Sequence, residues 1–99
     1  MYERETRQAT TGSEAEGRRS LLQMRIDILR VVTKGFGKPT QIMYRANLSW
    51  NVLQSQLSSF LQGGMLEVEE YGTRRRYKIT PRGAEMVESY DKLVDAMLS

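Results

Sequence analysis

The spacing of the apolar residues changes twice along this 99-residue chain, and this change most limits the folds open to it. From about residue 20 to residue 62, apolar residues recur every three or four positions, the spacing of one helix face. Between Gly63-Gly64 and Thr80-Pro81, apolar and charged residues alternate, which is typical of strands with one buried face. After Pro81 the helical spacing returns. The pattern predicts helices, one β-hairpin and a final helix.

Three helices are predicted before the hairpin. The first begins near Ser20 and ends near Lys34, where a cation and a glycine follow the last apolar residues. The second is short, with Thr40 as its N-cap, and ends at Asn47, a residue that tolerates positive φ. The third follows the N-cap Ser49 and continues to residue 62. Two helices this close in sequence have the size of a helix-turn-helix unit.

The hairpin is predicted to turn at Gly72-Thr73, because glycine in the first position suits a type II′ turn. This turn fixes the strand register. It places Val68 opposite Tyr77 on the inner face and Glu69 opposite Arg76 on the outer face. The order helix–helix–helix–strand–strand–helix predicts an α+β fold, mainly α, of the winged-helix class.

The last helix is predicted to have Thr80 as N-cap and Pro81 as its first residue. Its apolar residues are spaced four, three and four apart, as in a coiled coil. This seam favours a homodimer through the last helix, because the chain offers more apolar surface than a small monomer easily buries. Packing of the seam on the first helix of the same chain is the alternative. The predicted dimerisation residues are Met86, Tyr90, Leu93, Val94 and Met97.

Charge and composition divide the chain into three predicted segments. Residues 1–18 carry a net charge of −1 and almost no large apolar side chain, which predicts a disordered N-terminal arm. Residues 19–80 are the predicted winged helix-turn-helix domain, and residues 81–99 the C-terminal dimerisation helix. The basic excess lies in residues 34–78, whose net charge is +4.

The composition argues against most enzyme classes. The chain has no histidine and no cysteine, so it lacks the commonest general base, the commonest metal ligand and any disulfide. No glycine-rich phosphate loop is present. We therefore expect no enzymatic activity, no metal and no cofactor. No apolar run is long enough to span a bilayer and no secretory signal is recognisable, so a cytoplasmic location is expected.

The third helix has a polar face without charge, opposite its apolar residues. Short hydrogen-bonding side chains of this kind can approach base edges, where Asn and Gln can pair with adenine. The second helix of a helix-turn-helix unit enters the major groove, and a merely solvated face is the alternative. The residues of this face are Asn51, Ser55, Ser58 and Gln62, with Gln54 on its flank and Ser49 before it.

The run Arg74-Arg75-Arg76 lies at the predicted hairpin tip, with Lys78 just beyond it. Guanidinium groups at such a tip can reach phosphates or enter a minor groove. In the alternative interpretation, Glu67, Glu69 and Glu70 pair with these cations across the hairpin. Exposed ion pairs contribute only about 0.2–1 kcal/mol, so a phosphate could displace them easily.

A lesser basic group consists of Lys38, Arg45 and the helix start at Thr40, whose free N–H groups can bind phosphate. Simple capping by Thr40 is the alternative. Trp50 is predicted to pack toward the core rather than stack on bases. For Tyr71, beside the turn, stacking on a sugar and packing on the hairpin both remain open.

From Arg25 onward the chain contains an ordered set of short motifs. They are Ile28-Leu29, Lys34-Gly35, Thr40-x-Ile42-Met43-Tyr44-x-Ala46-x-Leu48-Ser49, Leu53, Leu57, Gly64-Met65-Leu66 and Tyr77-x-Ile79-Thr80-x-x-Gly83. In this set the chain resembles the archaeal winged helix-turn-helix family that includes the small dimeric chromatin proteins of hot-acid archaea. The resemblance implies DNA binding and dimerisation through the last helix. The chain differs from the chromatin members in its polar N-terminal arm and its shorter last helix.

These observations together predict a double-stranded DNA-binding protein, either a transcription regulator or a chromatin-type protein. Residues 19–80 are then its DNA-binding domain, and its expected location is the cytoplasm, in association with the nucleoid. The third helix is expected in the major groove and the basic hairpin on the backbone or in the minor groove. The alternative is a winged helix that serves protein–protein interaction or dimerisation without binding DNA. The predicted DNA-binding residues are Lys38, Thr40, Arg45, Ser49, Asn51, Gln54, Ser55, Ser58, Arg74, Arg75, Arg76 and Lys78.

Overall fold

The computed structural model of the protein describes residues 19–99, so the predicted disordered arm at residues 1–18 lies outside the described residues. The order of elements is the predicted one, three helices followed by a hairpin and a fourth helix. The elements are α1 (Leu21–Thr33), α2 (Pro39–Ala46), α3 (Trp50–Gln62), β1 (Leu66–Tyr71), β2 (Arg74–Ile79) and α4 (Pro81–Leu98).

Side-chain caps start α1, α3 and α4. The hydroxyls of Ser20, Ser49 and Thr80 each accept a hydrogen bond from the backbone N–H three residues later, at 3.0, 3.3 and 3.1 Å. These bonds satisfy N–H groups that have no partner within the helix. Asn47 ends α2 in the left-handed conformation with φ 56°, as its residue type predicts.

The predicted start of α2 is wrong. Its N-cap is Lys38 rather than Thr40, and Pro39 is the first helical residue. The reason is the geometry of proline, whose φ already suits a helix and whose missing N–H is not needed in the first turn. Lys38 N–H donates to Gln41 Oε1 at 3.4 Å, while Thr40 lies inside the first turn with its side chain exposed.

The core lies where α1, α2 and α3 meet the inner face of the hairpin. Each helix contributes apolar residues at helical spacing, and the hairpin contributes Leu66 and Tyr77, which are 2% and 4% exposed. Burying each such side chain stabilises the fold by about 1.5–3 kcal/mol. The core residues are Ile28, Leu29, Val32, Ile42, Ala46, Leu53, Leu57, Phe60, Leu66 and Tyr77.

We call the hairpin of β1 and β2, residues 66–79, the wing. Its register is the predicted one, with Val68 opposite Tyr77 and Glu69 opposite Arg76. Gly72 has φ 62° and Thr73 is not at positive φ, as a type II′ turn requires.

The base of the wing is fixed to the loop between α1 and α2. Tyr77 N–H donates to Gly37 O at 2.8 Å, so this loop lies beside β2 like a minimal third strand. Gly37 is buried, and a Cβ added there would lie 2.3 Å from Tyr77 O. Only glycine allows this close approach, which sets the position of the wing relative to the start of α2.

The start of α4 is packed equally closely against the end of the α3–β1 turn. Thr80 N–H donates to Met65 O at 3.2 Å, and a Cβ on Gly83 would lie 2.2 Å from the same oxygen. This contact gives the physical reason for glycine three residues after Thr80. A side chain at position 83 would separate α4 from the turn.

The apolar seam of α4 is divided between two environments. Tyr90 is half-buried, and its hydroxyl donates to Gln23 Oε1 on α1 at 2.8 Å. Val94 is also half-buried. Leu93 and Met97 are 59% and 76% exposed. Packing on α1 of the same chain thus accounts for part of the seam, and the other part faces outward.

An ion pair also joins α4 to α1. Arg30 donates to both carboxylate oxygens of Asp91, from Nη1 at 3.2 Å and from Nη2 at 2.5 Å. The hydrogen bond from Arg30 lowers the pKa of Asp91. No helix within residues 19–99 is long and apolar enough to cross a membrane.

Candidate nucleic-acid interface

An open groove of about 620 Å³ lies between the tip of the wing and the N-terminal ends of α2 and α3. We call it the basic groove, because four of its lining residues are Lys or Arg and none is Asp or Glu. It brings together residues that are up to 38 positions apart in the chain. Its lining residues are Lys38, Pro39, Thr40, Trp50, Tyr71, Thr73, Arg74, Arg75 and Arg76.

The groove follows from two local features of the sequence. The hydrogen bond between Tyr77 and Gly37 holds the wing beside the loop that leads into α2. Arg76 Nη2 also donates to Gly35 O at 3.2 Å, which directs this side chain along the same loop. The arginine run and the start of α2 are therefore neighbours, as the predicted interface requires.

The two ion pairs of the wing differ in their geometry. Lys78 Nζ lies 2.9 Å from a carboxylate oxygen of Glu69, its diagonal neighbour, and Arg75 Nε lies 3.4 Å from one of Glu70, its directly opposite partner. Within residues 19–99, Arg74 and Arg76 have no carboxylate partner within 4.0 Å. In this part of the chain, acidic residues thus pair with Arg75 and Lys78 alone among the cations of the wing. The alternative interpretation holds for these two residues only.

Glu69 is the centre of a small network on the wing. The hydrogen bond from Lys78, followed by that from the Tyr71 hydroxyl at 2.7 Å, lowers the pKa of Glu69. The same contacts with Glu69 raise the pKa of Lys78 and the pKa of Tyr71. Lys78 is thus held by Glu69 and does not line the basic groove, whereas Tyr71 does.

The predicted polar face of α3 is exposed. Asn51, Ser55, Ser58 and Gln62 are open to solvent, and Gln54 is half-buried. This face starts at the end of α3 where Trp50 lines the basic groove. It carries no charge, so any contact it makes with a polyanion is through neutral hydrogen bonds.

The remaining predicted residues differ in where the structure places them. Thr40 lines the groove with a hydroxyl that the helix cap does not use, while the Ser49 hydroxyl caps α3. Arg45 is exposed, but unlike Lys38 and Thr40 it does not line the groove. Its guanidinium carbon lies 3.5 Å from the centre of the Phe36 ring, a cation–π contact.

The predicted packing of Trp50 toward the core is wrong. Its side chain is 47% exposed and lines the groove. Trp50 precedes the buried Leu53 by three positions, but the first turn of α3 extends beyond the core that Leu53 and Leu57 enter. Tyr71, for which two placements were open, is 60% exposed and also lines the groove.

Three residues of this region were missed from the sequence. Pro39 and Thr73 line the groove, and Gly37 fixes its width by allowing contact between the wing and the loop. The Gly35-x-Gly37 pair, which ends two residues before the helix-starting Pro39, is the one signal that could have indicated such a close backbone approach.

The fold and this site define a winged helix-turn-helix domain. A sequence profile of the winged helix-turn-helix family matches residues 18–98, so the chain belongs to this family. The match confirms the family resemblance and the fold class predicted from the sequence. This family consists of DNA-binding regulators rather than enzymes, which confirms the expectation that the chain is not an enzyme.

Solved structures with this fold include DNA-binding proteins. Sso10a-2, a DNA-binding protein from Sulfolobus solfataricus, is 24% identical with a TM-score of 0.66, over 81% of this chain and 86% of that one. The homodimeric winged helix-turn-helix DNA-binding domain of Mb0332 from Mycobacterium bovis, a possible ArsR-family transcriptional regulator, is 22% identical with a TM-score of 0.67, over 79% and 73%. FabT from Streptococcus pneumoniae, in complex with DNA, is 15% identical with a TM-score of 0.64, over 88% and 62%. None of the curated proteins matches the sequence.

Proposed function

We propose that the protein binds double-stranded DNA as a transcription regulator or chromatin-type protein, with α3 in the major groove and the wing on the backbone or in the minor groove. The observation that carries this proposal is the basic groove. It presents four cations and no acid between the two elements that a winged helix uses to hold a duplex. Family membership and DNA binding by the similar proteins agree with it.

Phosphate contact is assigned to the groove first. Arg74, Arg75 and Arg76 can donate several charge-assisted hydrogen bonds each, and Arg75 has only a loose exposed partner to give up. Lys38 adds charge next to the free N–H groups at the start of α2, where phosphate binds well. Such contacts position the protein on the duplex without reading its sequence.

Base reading is assigned to the exposed face of α3. Asn51 and Gln54 can pair with adenine, and Ser55 and Ser58 are short enough to let the helix approach base edges closely. We assign supporting backbone contacts to Ser49, Arg45 and Lys78 from their exposure and position. This division of roles predicts that changes in the groove weaken all sites alike, while changes on α3 alter sequence preference.

We also propose a homodimer through α4 that places two α3 helices on one face of the DNA. Leu93, Met97 and Leu98 are 59%, 76% and 80% exposed, and Leu21 and Leu22 on α1 are 60% and 56% exposed. Exposed apolar side chains of this size on α4 and α1 favour contact with a second subunit. The similar domain of Mb0332 is a homodimer. Bound DNA implies a nucleoid-associated location.

A comparison of two triple variants tests the proposal. The R74A/R75A/R76A variant removes three groove cations, and the matched K34A/R82A/K92A variant removes three exposed cations outside the groove. Binding to several unrelated labelled duplexes is measured by fluorescence anisotropy at 100 mM KCl. The groove variant should lose more than about tenfold in affinity for every duplex, and the control should lose much less.

Equal losses in the two variants would mean that net charge, rather than the groove, attracts DNA. An unmodified protein that binds no duplex even at low salt would favour the protein-interaction alternative.

A further inference from the structure

The basic groove contains two exposed aromatic rings that phosphate contact does not explain. Trp50 is 47% exposed and Tyr71 is 60% exposed, and both line the groove among its cations. Trp50 is also the only tryptophan of the chain. Aromatic faces within a positively charged groove are typical of sites that stack unpaired bases while they hold the backbone.

Both rings have faces available for stacking within the described part of the chain. The cation–π contacts among residues 19–99 involve the rings of Phe36, Phe60 and Tyr90. The guanidinium groups of Arg74, Arg75 and Arg76 therefore do not cover Trp50 or Tyr71. The Tyr71 ring is also oriented, because its hydroxyl donates to Glu69 Oε1 at 2.7 Å.

A fully paired duplex cannot use these faces. Its bases are stacked on one another and present only their edges in the grooves. A base offers its flat face to a protein ring only when it is unpaired, as at a bulge, an overhang or a flipped position. Two rings and three guanidinium groups are therefore suited to bind one unstacked nucleotide. The rings would stack on its base, and the guanidinium groups would bind its phosphate.

The size of the groove fits such an occupant. Its volume of about 620 Å³ lies within the ~300–1,000 Å³ typical of small-molecule and cofactor sites, which accommodate a single nucleotide. Lys38 and Thr40 add a cation and a hydroxyl on the side of α2.

We infer that the basic groove binds one unstacked nucleotide of DNA, its base against Trp50 and Tyr71 and its phosphate on the Arg74–Arg76 run. The protein then binds a duplex with an unpaired nucleotide more tightly than the fully paired duplex. This inference rests on the proposed function, since it concerns the same groove, and it adds a class of DNA structure to it.

Three labelled duplexes that differ at one position test the inference. One is fully paired, one has a single extra adenine, and one has an abasic unit in place of that adenine. Base–aromatic stacking corresponds to about 5- to 150-fold in affinity. The duplex with the extra adenine should bind about tenfold more tightly than the other two and should quench Trp50 fluorescence most strongly.

Variants show whether the rings are responsible. Trp50→Ala and Tyr71→Ala should each reduce the preference for the extra adenine to less than about threefold. The Tyr71→Ala variant still contains Trp50, so its binding can also be followed by tryptophan fluorescence. Tyr44→Ala is the matched control, because Tyr44 is 78% exposed and lies outside the groove. It should keep the full preference. Circular dichroism verifies that each variant is folded.

Equal affinity for the paired duplex and the duplex with the extra adenine would overturn the inference and leave the proposed function intact. Failure to bind any of the three would instead contradict the proposed function itself. Quenching by free dAMP at the DNA concentrations used would overturn the assignment to a nucleotide within DNA. A preference that Trp50→Ala and Tyr71→Ala leave unchanged would overturn the role of the rings.

Discussion

Replacing Gly37 by alanine tests how the wing is held in place. The added Cβ would lie 2.3 Å from Tyr77 O, where a real contact needs at least about 3 Å. Loop and strand must then separate by roughly 1 Å, which breaks the 2.8 Å hydrogen bond from Tyr77 N–H to Gly37 O. Gly37 is not at positive φ, so the cost comes from this close approach alone.

The expected loss follows from these two effects. A crowded contact costs about 1–3 kcal/mol, and the lost hydrogen bond costs about 0.5–1.5 kcal/mol. Gly37→Ala should therefore reduce the free energy of unfolding by about 2–4 kcal/mol. For a domain of this size that lowers the unfolding temperature by roughly 10–25 °C.

The matched control is Gly63→Ala. Gly63 has φ −82° and ψ −3°, which alanine adopts without strain, and its added Cβ meets nothing closer than 3.4 Å. This variant should change the stability by less than about 1 kcal/mol. Both are measured by thermal and urea unfolding at one protein concentration, because a dimer's stability depends on concentration. Equal stability of the two variants would refute the argument that backbone contact positions the wing.

Three further predictions concern other parts of the fold. Arg30 lowers the pKa of Asp91, so the pair stabilises the protein above the ordinary carboxyl pKa of 3.8 and this contribution disappears as the pH falls through the lowered value. Asp91→Asn should therefore be less stable at pH 7 and should lose less stability on acidification to pH 3, as followed by urea unfolding. Ser49→Ala should reduce the free energy of unfolding by about 0.5–2 kcal/mol, because the α3 cap is lost; an unchanged urea midpoint would contradict this. Leu93→Glu combined with Met97→Glu should give a monomer with an intact fold in analytical ultracentrifugation, and a dimer of unchanged affinity would exclude this face as the interface.

Local rules made the hairpin and most helix ends predictable. The Gly72-Thr73 turn fixes the strand register, because a two-residue turn allows only one pairing of the alternating residues that flank it. Asn47 and Ser49 likewise end one helix and start the next through conformations and hydrogen bonds that belong to their own side chains. The arginine run at the wing tip follows directly from that register.

Features that depend on distant contacts were not predictable. The burial of Trp50 depends on how far the core extends beneath the first turn of α3. Helical spacing alone does not give the extent of the core. Arg45 lies over Phe36 because the α1–α2 loop places that ring there. Packing of Tyr90 on α1 likewise depends on the direction of α4, which the contact between Gly83 and Met65 sets.

The salt dependence of duplex binding tests most directly whether the wing tip and the start of α2 hold a common polyanion. The four groove cations of one subunit alone predict a slope of about −3.6 in log affinity against log salt, and contacts by Arg45 and Lys78 would make it steeper. Raising KCl from about 50 to 200 mM should then weaken the binding of one subunit to an unmodified 20-bp duplex by at least about 150-fold. A loss of less than about fourfold, the change expected for a single phosphate contact, would contradict the assignment of this groove to the DNA backbone.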